Sequence, residues 1–108
     1  MHLSLPSPIS TYFAVSNGAA ITELAHCFTP NAAVFDEGRT HRGHHAIASW
    51  QRDARQKFTC TVKPVSISRT GDRMTVAADV AGNFPGSPIR LDHRFDLAGD
   101  RIKSLSIG

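Results

Sequence analysis

The sequence contains little that would direct it to a membrane, a nucleic acid or an oxidising compartment. A membrane helix needs about 20 consecutive apolar residues, and no apolar run in this chain approaches that length. Met1 to Pro8 has neither a basic n-region nor an apolar h-region, so no secretory leader is expected and the location read from the sequence is cytoplasmic. Cysteine is scarce: Cys27 and Cys60 are the 2 present, far apart and in apolar surroundings. They are expected as buried thiols in a reducing cytosol, with a disulfide as the alternative. Charged residues make up only 19% of the chain, and the net charge of +3 is scattered. A nucleic-acid surface needs a basic stripe, and none is present, so neither nucleic acid nor membrane is an expected partner.

Metal ligands are also thin on the ground. His41, His44 and His45 cluster, and the spacing of His41 and His45 fits one helical face. Gly43 interrupts any helix between them, however, and no well-placed carboxylate or thiol completes a tetrahedral set. No metal and no cofactor are expected.

What is present suits one domain over residues 1–108. The chain has 108 residues, 41% of them apolar, enough for a single core. Residues 4–17 read as a first helix, with Ser7 as N-cap, Pro8 at the first helical position and Asn17-Gly18 as the stop. A second, short helix is expected from Ala20 to Phe28, carrying Ile21, Leu24, Ala25 and Phe28 at helical spacing. It ends at Thr29-Pro30-Asn31. A third runs from His44 to Lys57, with Ile47, Trp50 and Ala54 as its apolar stripe and Gln51, Arg52, Asp53 and Arg55 on its wet side.

Between the second and third helices lies the most informative stretch, Asn31 to Gly43. Read as a strand, it points Ala32, Val34 and Asp36 to one face and Ala33, Phe35 and Glu37 to the other. A carboxylate at the end of an apolar strand face, beside a glycine turn, is where a pocket acid would sit. The alternative is that Asp36 merely ends the strand in solvent.

From Phe58 onward the period is two. Phe58, Cys60 and Val62 share a face. The phase then slips by one at Pro64, as a bulge would leave it. Arg73 to Phe84 alternates Met74, Val76, Ala78, Val80 and Phe84 against Thr75, Ala77, Asp79, Ala81 and Asn83. In the next strand Ile89, Leu91, His93, Phe95 and Leu97 oppose Arg90, Asp92, Arg94 and Asp96. Ile102, Leu105 and Ile107 mark a last strand. Helices first and long antiparallel strands last mean α+β, with three N-terminal helices packed on one face of a curved antiparallel sheet.

These stretches resemble the SnoaL-like branch of the nuclear transport factor 2-like superfamily. The resemblance rests on Ile9–Ala14, Leu24–Phe28, Asn31–Gly38, Gly43–Trp50, Gly82–Pro88 and Arg94-Phe95. It implies a cystatin-like cone in which a strongly bent sheet wraps a helix and a pocket opens at the wide end. The superfamily includes ketosteroid isomerases, polyketide cyclases, dehydratases, epoxide hydrolases and non-catalytic binding domains, so the fold does not choose the function. The ketosteroid isomerase pattern places a tyrosine oxyanion donor at Tyr12 and a base at Asp36. Its third member, a protonated acid, would fall on Asp92 or Leu91 according to register. Strand parity favours His93 inside and Asp92 outside.

The candidate catalytic residues are therefore Asp36 as base, Tyr12 as donor and His93 as an orienting or donating group. The candidate ligand-contact residues are Trp50, Phe13, Val34 and Phe84. Each has a plainer reading as core packing. Three functions follow: general acid/base catalysis on a small apolar carbonyl or polyketide-like compound, non-catalytic binding of a small apolar ligand, and a ligand-free dimerisation module. Asp36 within hydrogen-bond reach of Tyr12 or His93 in an open pocket would favour the first. An open pocket without that pair would favour the second, and a cone filled by aromatics the third. A homodimer is expected through the outer sheet face, where Ala77 and Ala81 are small and Arg90, Asp92, Arg94 and Asp96 alternate in sign.

Overall fold

The computed structural model describes residues 5–57 and 59–108. Three helices, α1 (Ser7–Ser16), α2 (Leu24–Cys27) and α3 (His44–Lys57), pack on a six-stranded sheet. The strands are β1 (Phe28–Asp36), β2 (Arg39–Arg42), β3 (Cys60–Thr70), β4 (Arg73–Gly82), β5 (Ile89–Ala98) and β6 (Arg101–Ile107). Their order across the sheet is β2-β1-β6-β5-β4-β3. All neighbours run antiparallel except β1 and β6, which are parallel. That one parallel pair refines the expected antiparallel sheet. It sets the end of β1, with Asp36, beside the end of β6, with Ile107.

Several boundaries differ from the sequence reading. The expected start of the first helix at residue 4 lies outside the described residues, and α1 begins at Ser7 with Pro6 in the cap position and no side-chain cap hydrogen bond. Ser7 is thus inside the helix, and proline geometry opens it. The second helix is a 3₁₀ turn, Ile21–Glu23, followed by the single turn of α2. Phe28 already belongs to β1, and the register against β6 slips between Phe28 and Ala33. Pro30 lies within that slip, where its missing N–H cannot serve a ladder. The slip expected at Pro64 is present between Pro64 and Ser66. β4 ends at Gly82, so Phe84 lies in the following connection. The expected sharing of a face by Phe58 with Cys60 and Val62 concerns a residue outside the described ones.

The core lies between the helices and the inner sheet face. Ile9, Phe28, Val34, Ile47, Val76, Phe95, Ile102 and Leu105 are fully buried, and each such side chain contributes roughly 1.5–3 kcal/mol by leaving water. Alternation in β4 and β5 sorts the faces as expected: Met74, Val76 and Ala78 are buried, and so are His93 and Phe95. The outer face carries the charges, and they pair within the sheet. Arg90 meets Asp79 at 2.7 Å, Arg73 meets Asp96 at 2.9 Å, and Arg94 lies 3.7 Å from Asp92.

Two local devices position the cavity wall. Asn17, just past α1, donates from its amide to the Val62 carbonyl at 2.8 Å and accepts from the Val62 N–H at 2.7 Å. One side chain thereby stands in for a strand partner on the edge of β3 and ties that edge to the helix. Gly82 opposes Cys60 across the β3–β4 ladder. A Cβ there would overlap the Thr59 carbonyl oxygen and come within 2.8 Å of Cys60 Sγ, so only glycine allows the approach.

Candidate active site

A cavity of about 500 Å³ opens between α1, α3 and the inner faces of β3–β6. Tyr12, Asp36, Trp50, Phe84 and His93 all line it. Phe13 and Val34 do not. They are buried in the core, at 4% and 0% exposure, because their neighbours on α1 and β1 already form the wall. Phe13 acts one layer back, with its ring 5.3 Å from both Tyr12 and His93.

Asp36 comes to the cavity at the last position of β1, before a tight turn to β2. Glu37 and Gly38 both have positive φ, 52° and 74°, as a type I′ hairpin turn requires. Trp50 approaches from the second turn of α3 and donates its indole N–H to Asp36 Oδ2 at 3.1 Å. Among the described residues, Oδ1 has no side-chain donor. The Trp50 ring also stacks on Tyr12, with centroids 6.4 Å apart and planes 8° from parallel, while His41 lies 5.9 Å from it on its way out of β2. Trp50 therefore does more than form a wall: it holds the acid.

Tyr12 is boxed in by the edges of Phe13, Phe28 and Phe95. Burial drives its phenol well above its ordinary value, the Asp36 charge adds to that, and the Ser16 hydroxyl opposes it. The phenol therefore keeps its proton across the physiological range and can serve only as a neutral hydroxyl.

His93 is buried on β5, and its Nδ1 faces the Leu91 carbonyl oxygen at 3.3 Å. A carbonyl accepts, so the tautomer that satisfies this contact is the one with the proton on Nδ1. Burial lowers its pKa, while the Leu91 carbonyl, the Asp92 charge and the Val76 carbonyl pull the other way. Asp92 is not in the cavity and lies on the outer face near Arg94. Leu91, the other residue that the isomerase register could place there, does line it. No side-chain hydrogen bond joins Asp36 to Tyr12 or His93 among the described residues.

The sequence reading put two residues of the wall on the wrong side of α3. Gln51 and Arg55 were expected on the wet side of α3. Gln51 is instead buried, donating to Ser16 Oγ at 3.2 Å. Arg55 is half-buried at the cavity and donates to the Ala19 carbonyl at 3.0 Å. A signal for both was available: Ile47, Gln51 and Arg55 repeat every four residues and so share a face. Two of the three histidines that suggested a metal have other neighbours. His44 Nε2 lies 2.9 Å from the Phe28 carbonyl, and His41 faces Trp50. Among the described residues no group of three His, Cys, Asp or Glu side chains converges.

Helices packed over a bent six-stranded sheet are the architecture of nuclear transport factor 2-like folds. The sequence model of the SnoaL-like domain matches residues 9–105, and the chain belongs to that family. A solved structure from Sinorhizobium meliloti, provisionally named a polyketide cyclase, is 35% identical with a TM-score of 0.92 and covers 96% of this chain and 95% of its own. A Catenulispora acidiphila protein with a ketosteroid isomerase-like fold, bound to trimethylamine, is 20% identical with a TM-score of 0.84, covering 97% of this chain and 86% of its own. The epoxide hydrolase/cyclase-like enzyme SalBIII, which acts in pyran ring formation in the polyether salinomycin, is 19% identical with a TM-score of 0.73, covering 93% and 85%. The last two likenesses establish the fold alone. No curated protein sequence matches the chain significantly.

Proposed function

We propose that this SnoaL-like domain is a cytoplasmic enzyme that binds a small, mostly apolar carbonyl or polyketide-like molecule and moves a proton on it. The observation that carries this reading is Asp36. One carboxylate oxygen is held by Trp50, and the other has no side-chain donor among the described residues, beside a cavity large enough for a small organic molecule. A base must be oriented and yet keep an oxygen for its substrate. Tyr12, locked in its protonated form, is the donor for a developing oxyanion. His93, neutral in its buried setting, forms the wall between them. Likeness to a protein provisionally named a polyketide cyclase points to the same substrate class.

Deuterium exchange tests this directly. A panel of small apolar ketones is incubated with the protein in D₂O and followed by NMR at the carbon next to the carbonyl. Accelerated exchange that vanishes in Asp36→Asn supports the proposal. Ketones that bind without exchange, or exchange unchanged in Asp36→Asn, defeat it.

A second reading is non-catalytic binding. It draws support from the lack of a hydrogen bond between Asp36 and either Tyr12 or His93, and ligand binding without exchange is its signature. A cavity walled by Trp50 and Phe84, and not filled by them, weighs against the ligand-free module. We further propose a homodimer through the outer sheet face. Its Ala77 and Ala81 are only partly covered, and the charges around them are paired within the protomer, leaving a near-neutral surface. Sedimentation equilibrium at micromolar concentration reporting only monomer would refute it.

A further inference from the structure

Among the residues lining the cavity there is a single Lys or Arg, and it is Arg55. The guanidinium has no carboxylate partner among the described residues, and residues 1–4 and 58 contain no acid. Among the described residues its hydrogen-bond partner is a neutral group, the backbone carbonyl of Ala19. That bond anchors the side chain to the loop after α1, whose course is set by Gly18 at φ 115°. A guanidinium has five N–H donors, and among the described residues one is used. A half-buried cation without a counter-charge is costly unless something completes it.

The two acids of the wall, Asp36 and Glu37, lie elsewhere along it. Trp50, which holds Asp36, precedes Arg55 by five residues on the same helix, and five residues advance about 7.5 Å along a helix axis. The wall therefore carries two carboxylates that do not pair with Arg55 and a guanidinium tied to the Ala19 carbonyl, with Val62, Val80, Phe84, Ile89 and Leu91 among the residues lining it.

We propose that Arg55 is the specificity-determining residue of this cavity and that the ligand is an apolar acid. Its carboxylate pairs with Arg55, and its reactive carbonyl is thereby delivered to Asp36. Planar two-point pairing with a carboxylate is what a guanidinium does best. Asp36 and Glu37 repel a carboxylate placed beside them, so the charges of the wall set direction as well as binding. This inference rests on the cavity being a ligand site.

The test uses a matched pair of probes, an extended oxooctanoate with its ketone on the penultimate carbon and the methyl ester of the same acid. Trp50 is the 1 tryptophan of the chain and lines the cavity, so its fluorescence reports occupancy. The free acid is expected to bind at least about tenfold more tightly than the ester, the scale of a hydrogen bond to a charged group. Arg55→Gln should abolish the preference by weakening the acid alone, and Arg55→Lys should restore part of it. Circular dichroism and thermal melting of both variants monitor the Ala19 anchor, since a merely structural arginine would lower the melting temperature without changing the acid-to-ester ratio. Equal binding of acid and ester, or a preference that survives in Arg55→Gln, overturns the assignment of Arg55 and leaves the cavity reading standing. Absence of any response to either probe, with the fold intact, overturns both.

Discussion

The two faces of the sheet treat charge in opposite ways. On the outer face, Asp79 and Asp96 each accept two hydrogen bonds from an arginine on the neighbouring strand. On the cavity side, Asp36 rests on an indole N–H and Arg55 on a backbone carbonyl. The outer pairs are complete within the protomer and need no partner to settle their charge. The inner charges are positioned by neutral groups, which fix a side chain without neutralising it. A charge that is placed but not cancelled remains available to a ligand, and the proposed function rests on this contrast between the cavity side and the scaffold.

The sharpest way to break the contrast is at Asp36. Asp36→Asn keeps the shape and removes the proposed base, so the rate of proton exchange should fall by about a hundredfold or more, the usual scale for a general base. The melting temperature should barely move. A matching fall in stability would place Asp36 with the scaffold charges instead.

Trp50→Phe comes next. It retains most of the apolar wall and the ring that stacks on Tyr12, but it removes the donor to Asp36. A charge-assisted hydrogen bond of this kind is worth about 1.5–3 kcal/mol, so the rate should drop by roughly tenfold to a hundredfold, with weaker effects on binding. An unchanged rate would show that the carboxylate needs no orienting group.

Acid titration separates the two faces by pH. Burial lowers the pKa of His93 below its ordinary 6.5. Below that value the unfolded chain takes up a proton that the folded chain refuses, so stability declines as pH falls below 6.5. The Arg90 hydrogen bonds hold Asp79, and the Arg73 hydrogen bonds hold Asp96, below the ordinary 3.8. The stability those carboxylates contribute is present above that value and is lost only as pH falls through their lower folded values. Thermal melts against pH should therefore show a shallow first decline that is lost in His93→Gln and a later one that remains. A wild-type curve flat between neutrality and pH 4 would remove His93 from this account.

The smallest effect is expected on the outer face. Arg90→Ala breaks the shortest ion pair of that face, yet the arginine is exposed and exposed pairs contribute little. Melting temperature and exchange rate should both stay close to wild type. A marked change in sedimentation with either kept constant would instead locate Arg90 at the homodimer surface.

Much of the scaffold was legible in the chain because it is written in local periods. The two-residue alternation of Arg73–Gly82 and Ile89–Ala98 sorts inward from outward residues by itself, since a strand has only two faces. That is why His93 could be assigned inward and Asp92 outward before any coordinates. The span His44–Lys57 and the slip at Pro64 were likewise local matters of periodicity and a missing N–H. The short second helix misled because Phe28 satisfies a helical spacing and is equally at home in a strand. The parallel pairing of β1 with β6 recruited it.

The site was legible as residue types and not as partnerships. Tyr12, Asp36 and His93 could be proposed from a resemblance and from parity, and the cavity includes all three. Only the tertiary structure decided that Trp50 holds Asp36, that Asn17 stands in as a strand partner for Val62, that Phe13 and Val34 are core, and that Arg55 faces the cavity and not open water. The physical reason is distance along the chain. Asn17 and Val62 are 45 residues apart, Ala19 and Arg55 36 apart. Periodicity tells a side chain which face it occupies, but its partner there is chosen by the packing of helices over the sheet, which no single segment encodes.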